Sequence, residues 1–162
     1  MPTSPDQQAF HKGMVALSDG RHEEAMKCFE SALRIESQRG AAGRQMRYLS
    51  YFGLSAALAA NRPTPEAIQA CEMAAKRDFY SAELQLNLGR VYLMAGKTTR
   101  ALEAFERGVK LAPSNKALKE EMTTSDRRRR PPIPWLSRGH PLNCWLGRMR
   151  YSLSGRPARD LS

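Results

Sequence analysis

A pattern of glycine, alanine and phenylalanine occurs twice in this 162-residue chain with identical spacing. In each copy a glycine is followed by an alanine after twelve residues, a phenylalanine after four more, and a small residue after a further three. The copies are Gly13, Ala25, Phe29 and Ala32, and Gly89, Ala101, Phe105 and Gly108. Steps of three and four residues mark one face of a helix, and Gly20 and Gly96 each precede the alanine by five residues. Each copy therefore predicts a helix, a tight glycine turn and a second helix.

A third copy lies between these two and differs in its turn. Gly53 is followed by Ala67, Cys71 and Ala74 with the same steps of four and three, but its turn carries two extra residues within 61–65. There Thr64 is predicted to cap the next helix and Pro65 to occupy its first turn. The wider interval between the first two glycines predicts a longer loop around residues 37–43.

The third copy carries the most complete motif. This motif consists of Leu88, Gly89, Tyr92, Ala101, Phe105, Gly108 and Pro113. This order of large, small, aromatic, small, aromatic, small and proline resembles the tetratricopeptide repeat (TPR) family over about residues 6–122. The other copies depart from the motif, and none has the family's early tryptophan. The departures are Lys12, Ala16, Ser37, Ala56, Cys71 and Phe79.

The resemblance implies an all-α fold, an α-α superhelix of three helix hairpins. Because a single hairpin cannot bury its own apolar face, about three must stack to form a core. We expect a short N-terminal tail at 1–5 and a solenoid at 6–125, with repeats at about 6–39, 44–79 and 82–115. A capping helix at 114–124 and an irregular basic tail at 126–162 complete the expected organisation.

In the TPR family the first helix of each hairpin lines a concave groove. The resemblance assigns to this groove a largely apolar set of residues together with a few polar ones, which include Gln7, Ser50 and Glu83. The groove residues that we expect to contact a partner are Phe10, Met14, Leu17, Arg47, Leu54, Leu58, Leu86, Asn87, Arg90, Leu93 and Met94. An apolar groove suits an extended apolar peptide or an amphipathic helix, although these side chains could instead pack against each other.

Some TPR proteins bind the acidic C-terminal ends of chaperones through a clamp of Lys, Arg and Asn. In this chain, Phe10 and Met14 stand where the first repeat of that clamp would need Lys and Asn. The resemblance therefore disfavours recognition of an acidic C-terminus.

The basic charge of the chain is concentrated in its tail. Residues 127–162 contain nine Arg, no Lys and one acidic residue, whereas the chain as a whole has a net charge of +10. The tail also holds both tryptophans of the chain. The residues there that could make contacts are Arg127, Arg128, Arg129, Arg130, Trp135, Leu136, Trp145 and Leu146. The two prolines after Arg130 are predicted to prevent this arginine run from extending a helix.

Four interpretations of the tail stay open. Its aromatic residues could dock on the solenoid or on a partner. Its Arg and Trp residues could attach to an anionic membrane surface, or its Arg run could bind nucleic acid phosphates. It could also be a solvated basic segment without a specific role.

No catalytic motif is recognisable in the sequence. The three histidines have no Cys, Asp or Glu at metal-ligand spacing, and no nucleophile elbow or phosphate-binding glycine loop occurs. We therefore expect no enzymatic activity, no cofactor and no metal. With three scattered cysteines, no signal sequence and no long apolar run, we expect a cytoplasmic protein, or one peripheral to a membrane.

Together these features predict a protein–protein interaction scaffold of the adaptor, assembly-factor or chaperone-like type, with a protein or peptide as partner. The alternative is a membrane-surface or nucleic-acid binder that acts through the basic aromatic tail.

Overall fold

The computed structural model describes residues 4–39 and 44–129, with side chains described as far as residue 125. These residues form seven α-helices and no strand. The helices are α1 (Pro5–Ser18), α2 (His22–Gln38), α3 (Gln45–Ala59), α4 (Pro65–Arg77), α5 (Ala82–Met94), α6 (Thr98–Leu111) and α7 (Lys116–Arg129). None of the helices in the described ranges is long and apolar enough to cross a bilayer.

Consecutive helices pack against each other as antiparallel pairs from α1 through α6, and α3 also contacts α5. The first six helices therefore form three hairpins in sequence order, as predicted for an all-α repeat fold. The first helices of the hairpins, α1, α3 and α5, run in the same direction along one side of the stack. We call this side the groove face.

The turns inside the hairpins require a backbone conformation that glycine adopts easily. Gly20 has φ 77° and Gly96 has φ 70°, both in the left-handed region. The backbone N–H of the following residue then donates to the carbonyl of the preceding helix, 2.9 Å from Arg21 to Ala16 and 2.9 Å from Lys97 to Tyr92.

The turn of the middle hairpin reaches the left-handed conformation without glycine. Asn61 takes the left-handed conformation with φ 53°, which asparagine tolerates better than most residues. Thr64 Oγ1 then accepts a hydrogen bond from the Ala67 N–H at 3.2 Å, and Pro65 begins α4. The predicted cap and first-turn proline are thus confirmed.

The repeat glycines allow the two helices of a hairpin to approach closely. A Cβ atom at Gly13 would lie 2.6 Å from the ring of Phe29, and one at Gly89 would collide with the ring of Phe105. In the middle hairpin a Cβ at Gly53 would lie 2.8 Å from both the Ala67 carbonyl oxygen and the Cys71 sulfur. Cys71 occupies the place that a phenylalanine ring takes in the other hairpins. Because it is smaller, the backbone at Gly53 lies directly against the backbone at Ala67.

Two hydrophobic clusters make up the core. The N-terminal cluster is aromatic and comprises Phe10, Ala16, Ala25, Phe29, Ala32, Tyr48 and Tyr51. The second cluster, built mainly from Ala and Leu, extends from Leu54 to Leu118. Leu17 is partly buried against both clusters and so links them.

Helix α7 caps the stack and is longer than the sequence suggested. It begins after Asn115, whose Oδ1 accepts from the Leu118 N–H at 3.3 Å, and the buried Leu118 side chain lies 2.7 Å from the Cβ position of Gly108. The helix runs to Arg129, beyond the predicted end at residue 124. The arginines can continue a helix, since the proline restriction falls on Arg130, which directly precedes Pro131. By packing, the chain divides into Met1–Met122 and Thr123–Ser162, and the stack described above is the first unit.

Candidate functional site

The residues predicted to line the groove lie on α1, α3 and α5, but they are not all exposed. Phe10, Leu54, Leu86 and Asn87 are buried. The others are partly or largely exposed, namely Met14, Leu17, Arg47, Leu58, Arg90, Leu93 and Met94. The predicted set therefore separates into residues that hold the helices together and residues that a partner could reach.

Phe10 belongs to the core of the N-terminal repeats. Its ring centroid lies 4.9 Å from that of Tyr48 and 5.3 Å from those of Phe29 and Tyr51. Aromatic rings at these separations attract one another beyond their area burial. These rings bridge α1, α2 and α3, so Phe10 acts first as a packing residue.

Asn87 is committed to a buried polar contact between α5 and α3. Its side-chain amide donates to Ser50 Oγ at 3.2 Å. The Ser50 backbone carbonyl accepts in turn from the Cys71 thiol at 3.4 Å. Burial raises the pKa of Cys71 to about 12, so this thiol stays protonated and acts as a structural donor.

A set of partly buried apolar side chains lies towards the C-terminal ends of α1, α3 and α5. We call it the apolar strip, and it consists of Met14, Leu17, Leu58, Leu93 and Met94. Each packs with part of its surface on one of the core clusters. The core clusters therefore restrict the movement of these side chains, while part of each remains accessible to solvent.

Closer to the N-terminal ends of α3 and α5, the groove face carries an ion pair. The Arg47 guanidinium contacts Glu83 through Nε and Oε2 at 2.9 Å and through Nη2 and Oε1 at 3.0 Å. The Tyr51 hydroxyl donates to the same Oε1 at 2.6 Å. Arg47 also lies over the Phe10 ring, 4.7 Å from its centroid. Burial, together with the hydrogen bond to Glu83, raises the pKa of Tyr51 well above its usual value.

A second ion pair joins α5 to α7. Arg90 Nε lies 2.9 Å from Glu121 Oε1, with both side chains partly exposed. Both arginines that were predicted for the groove thus already have carboxylate partners within the chain.

The buried carboxylate of Asp6 anchors the start of α1. Asp6 is fully buried and accepts from the Tyr48 hydroxyl at 2.9 Å and from Arg39 and Arg44 at 2.9 and 3.4 Å. Burial alone would raise the pKa of Asp6, but the hydrogen bonds from Ser4, Tyr48 and Arg44 outweigh it and lower the pKa to about 2. This network ties the start of α1 to both sides of the loop between the first two repeats.

The sequence did not point to Tyr51, Glu121 or Asp6 as members of these polar contacts. Tyr51 could have been found, because it lies four residues after the predicted groove residue Arg47 and so on the same face of α3. Among the tail residues predicted to make contacts, Arg127, Arg128 and Arg129 end helix α7. The remaining ones, from Arg130 onward, lie outside the described residues. In the described ranges, no cluster of His, Cys, Asp and Glu could hold a metal ion.

Comparison with known proteins identifies the repeat. Sequence profiles of the tetratricopeptide repeat match residues 54–116 and residues 9–39. Tetratricopeptide repeat protein 33 of Xenopus laevis is 28% identical over 110 residues, which cover 68% of this chain and 40% of that protein. The chain thus spans less than half the length of this curated relative.

Several solved structures share the fold at low sequence identity. The Sgt2 TPR domain from Aspergillus fumigatus has a TM-score of 0.62 and 18% identity, covering 99% of this chain and 91% of that one. The first TPR of Spaghetti (RPAP3) bound to the HSP90 peptide SRMEEVD has a TM-score of 0.57 and 16% identity, covering 75% and 90%. The second TPR domain of human RPAP3 in complex with the HSP70 peptide SGPTIEEVD has a TM-score of 0.55 and 19% identity, covering 75% and 98%.

Proposed function

Because this chain belongs to the tetratricopeptide repeat family, we propose that it is a non-catalytic scaffold that binds a peptide segment of another protein along its groove face. The segment is apolar, either extended or an amphipathic helix. In the cell such a scaffold would serve as an adaptor, an assembly factor or a chaperone-like holder of its partner.

The observation that carries this proposal is the apolar strip. Met14, Leu17, Leu58, Leu93 and Met94 are partly exposed yet packed on the core. Their remaining accessible surface could be covered by a partner at little cost in side-chain order, because each is already partly immobilised. Full burial of such a side chain is worth about 1.5–3 kcal/mol, and the part still open would contribute a fraction of that.

The side chains in the strip favour adaptable recognition. Two of the five are methionines, whose flexible thioether side chains adjust to different apolar surfaces. Leu58, Leu93 and Met94 lie at the very ends of α3 and α5. A bound segment would therefore cross the ends of parallel helices, contacting one or two anchors in each repeat.

A peptide-display selection against the full chain tests this proposal. Random dodecapeptides on phage would be selected on the immobilised protein, and synthetic copies of the enriched peptides would be titrated by fluorescence anisotropy. We expect apolar or amphipathic sequences whose affinity changes little between low and high salt. We also expect binding to weaken at least about tenfold in Leu58→Glu and Met94→Glu, because each places a charge in the contact.

Met73→Glu provides the matched control, because Met73 is exposed on α4, away from the groove face. This variant should bind the selected peptides like the parent. Enrichment of peptides that bind equally to all three variants would contradict the proposal. Enrichment of acidic peptides whose binding collapses with rising salt would instead favour the alternative function, in which the basic tail contacts anionic surfaces.

A further inference from the structure

The ion pair between Arg47 and Glu83 has the geometry of a receptor site for a carboxylate. Two guanidinium nitrogens of Arg47, Nε and Nη2, each contact a different Glu83 oxygen, at 2.9 and 3.0 Å. Nη2 donates a hydrogen bond to Oε1 and Nε adds a close ion-pair contact with Oε2, so the two contacts together fix the plane of the carboxylate. The Tyr51 hydroxyl adds a third donor, 2.6 Å from Oε1.

The surrounding residues hold these donors in position. The Phe10 ring lies under the guanidinium at 4.7 Å and is fixed by its contacts with Phe29, Tyr48 and Tyr51. Tyr51 is itself buried within the same aromatic cluster. The donors are therefore preorganised by the core of the N-terminal repeats, and only the carboxylate comes from the next repeat.

The site is also open to solvent on one side. About half of the Arg47 side chain and about a third of the Glu83 side chain are exposed. A carboxylate from outside could take over the contacts with Nε and Nη2 of Arg47 only by displacing Glu83. Because Glu83 belongs to the same chain, it is always present at high effective concentration.

We propose that Arg47, Tyr51 and Phe10 form a carboxylate-binding site that Glu83 fills from within the chain, which excludes acidic peptide ends from this part of the groove face. This inference rests on the proposed function and explains its preference for apolar segments over acidic ones. It makes Glu83 a specificity-determining residue.

The pair formed by Arg90 and Glu121 provides an internal comparison. Its described contact joins a single nitrogen, Nε, to one oxygen at 2.9 Å. Arg90 lies close enough to lower the pKa of Tyr51, in opposition to the larger effects of burial and Glu83. Removal of Glu121 would therefore free an arginine in the same groove, with the same change in net charge, but without the preorganised donors.

The test uses the full chain and the fluorescein-labelled acidic heptapeptide SRMEEVD, titrated by anisotropy against the parent, Glu83→Ala and Glu121→Ala. We expect weak binding by the parent and a gain of about tenfold or more in Glu83→Ala, since hydrogen bonds to charged groups are among the stronger ones. Glu121→Ala should gain no more than about twofold. Adding Arg47→Ala to the Glu83→Ala chain should abolish the gain.

Equal gains in Glu83→Ala and Glu121→Ala would overturn the inference, because they would report net charge alone. Tight binding of the acidic peptide by the parent would overturn it as well. If circular dichroism indicated that Glu83→Ala is unfolded, the isosteric Glu83→Gln would take its place, and absence of a gain in that folded variant would count against the inference. The affinity for a selected apolar peptide, measured on the same variants, separates failure of this site from failure of the groove as a binding surface.

Discussion

The ring of Phe29 lies over Gly13 so closely that a single added methyl group at Gly13 would be 2.6 Å from it. The ring is fully buried, and its centroid lies 5.3 Å from those of Phe10 and Tyr51, so the neighbouring rings restrict its movement away from Gly13. Phe105 and Gly89 repeat this relationship in the third hairpin. The same contact thus sets the separation of the two helices in the first and last repeats.

Larger residues at these glycines should destabilise the stack. We expect Gly13→Ala to lower the free energy of unfolding by about 1–3 kcal/mol, because it overpacks a closed core, and we expect Gly89→Leu to unfold the third repeat. Urea denaturation followed by circular dichroism would measure both effects. Lys12→Ala, an exposed change beside Gly13 on the same helix, should stay within about 0.5 kcal/mol of the parent. A Gly89→Leu melt that matched the parent would disprove the close helix contact.

Acid should weaken the stack through Asp6. Its pKa is about 2 in the folded chain, against an ordinary value of 3.8. Because the folded pKa is depressed, the stabilisation is fully present above about pH 4 and is lost as the pH falls through about 2. The shift corresponds to roughly 2 kcal/mol at neutral pH.

The comparison of the parent with Asp6→Asn isolates this contribution. At pH 7 the variant should unfold at lower urea, and the difference between the two proteins should shrink as the pH falls from about 4 towards 2. Other carboxylates titrate in both proteins and cancel in the difference. A stability difference that stayed constant over this range would mean that the charge on Asp6 is not what stabilises the network.

Cys71 should be chemically inert in the folded protein. It is fully buried, its thiol donates to the Ser50 carbonyl, and its pKa is raised to about 12. Alkylation under native conditions, followed by peptide mass spectrometry, should label the partly exposed Cys28 well before Cys71. Equal labelling of the two in native buffer would indicate that the middle hairpin opens readily, whereas equal labelling in urea is expected.

The repeat stack should keep its helices without the C-terminal segment. The unit Met1–Met122 is defined by its own packing, so a chain that ends at Arg129 should retain the helical circular-dichroism signal of the described helices. Its melting temperature should stay within a few degrees of the parent. A large loss of helical signal would indicate that residues 130–162 are needed for the core.

The sequence could predict the hairpins because their determinants are local. The interval from Gly13 to Phe29 is fixed by two helices and a short turn, so identical spacing in another repeat implies the same contact. The Asp6 network could not be predicted in this way. It joins Asp6 to Arg39, Arg44 and Tyr48, and these pairings depend on how α1 and α3 are placed by the intervening helix.

The sequence also could not predict which of the groove residues are buried and which are exposed. Helical spacing places Phe10 and Met14 on the same face of α1, but it does not reveal that the aromatic side chains of α2 and α3 enclose Phe10 and leave Met14 partly open. In the same way, nothing in the local sequence pairs Arg47 with Glu83. The reach of each long side chain and the depth of the neighbouring helix decide such contacts.

The positions of the tryptophans give this protein an optical reporter for one end of the chain. Both of them, Trp135 and Trp145, belong to the C-terminal segment, whereas four of the five tyrosines lie before it. Tryptophan emission would therefore follow the C-terminal segment without a contribution from tryptophan in the repeat stack. One unlabelled sample could thus show whether a ligand changes the surroundings of that segment.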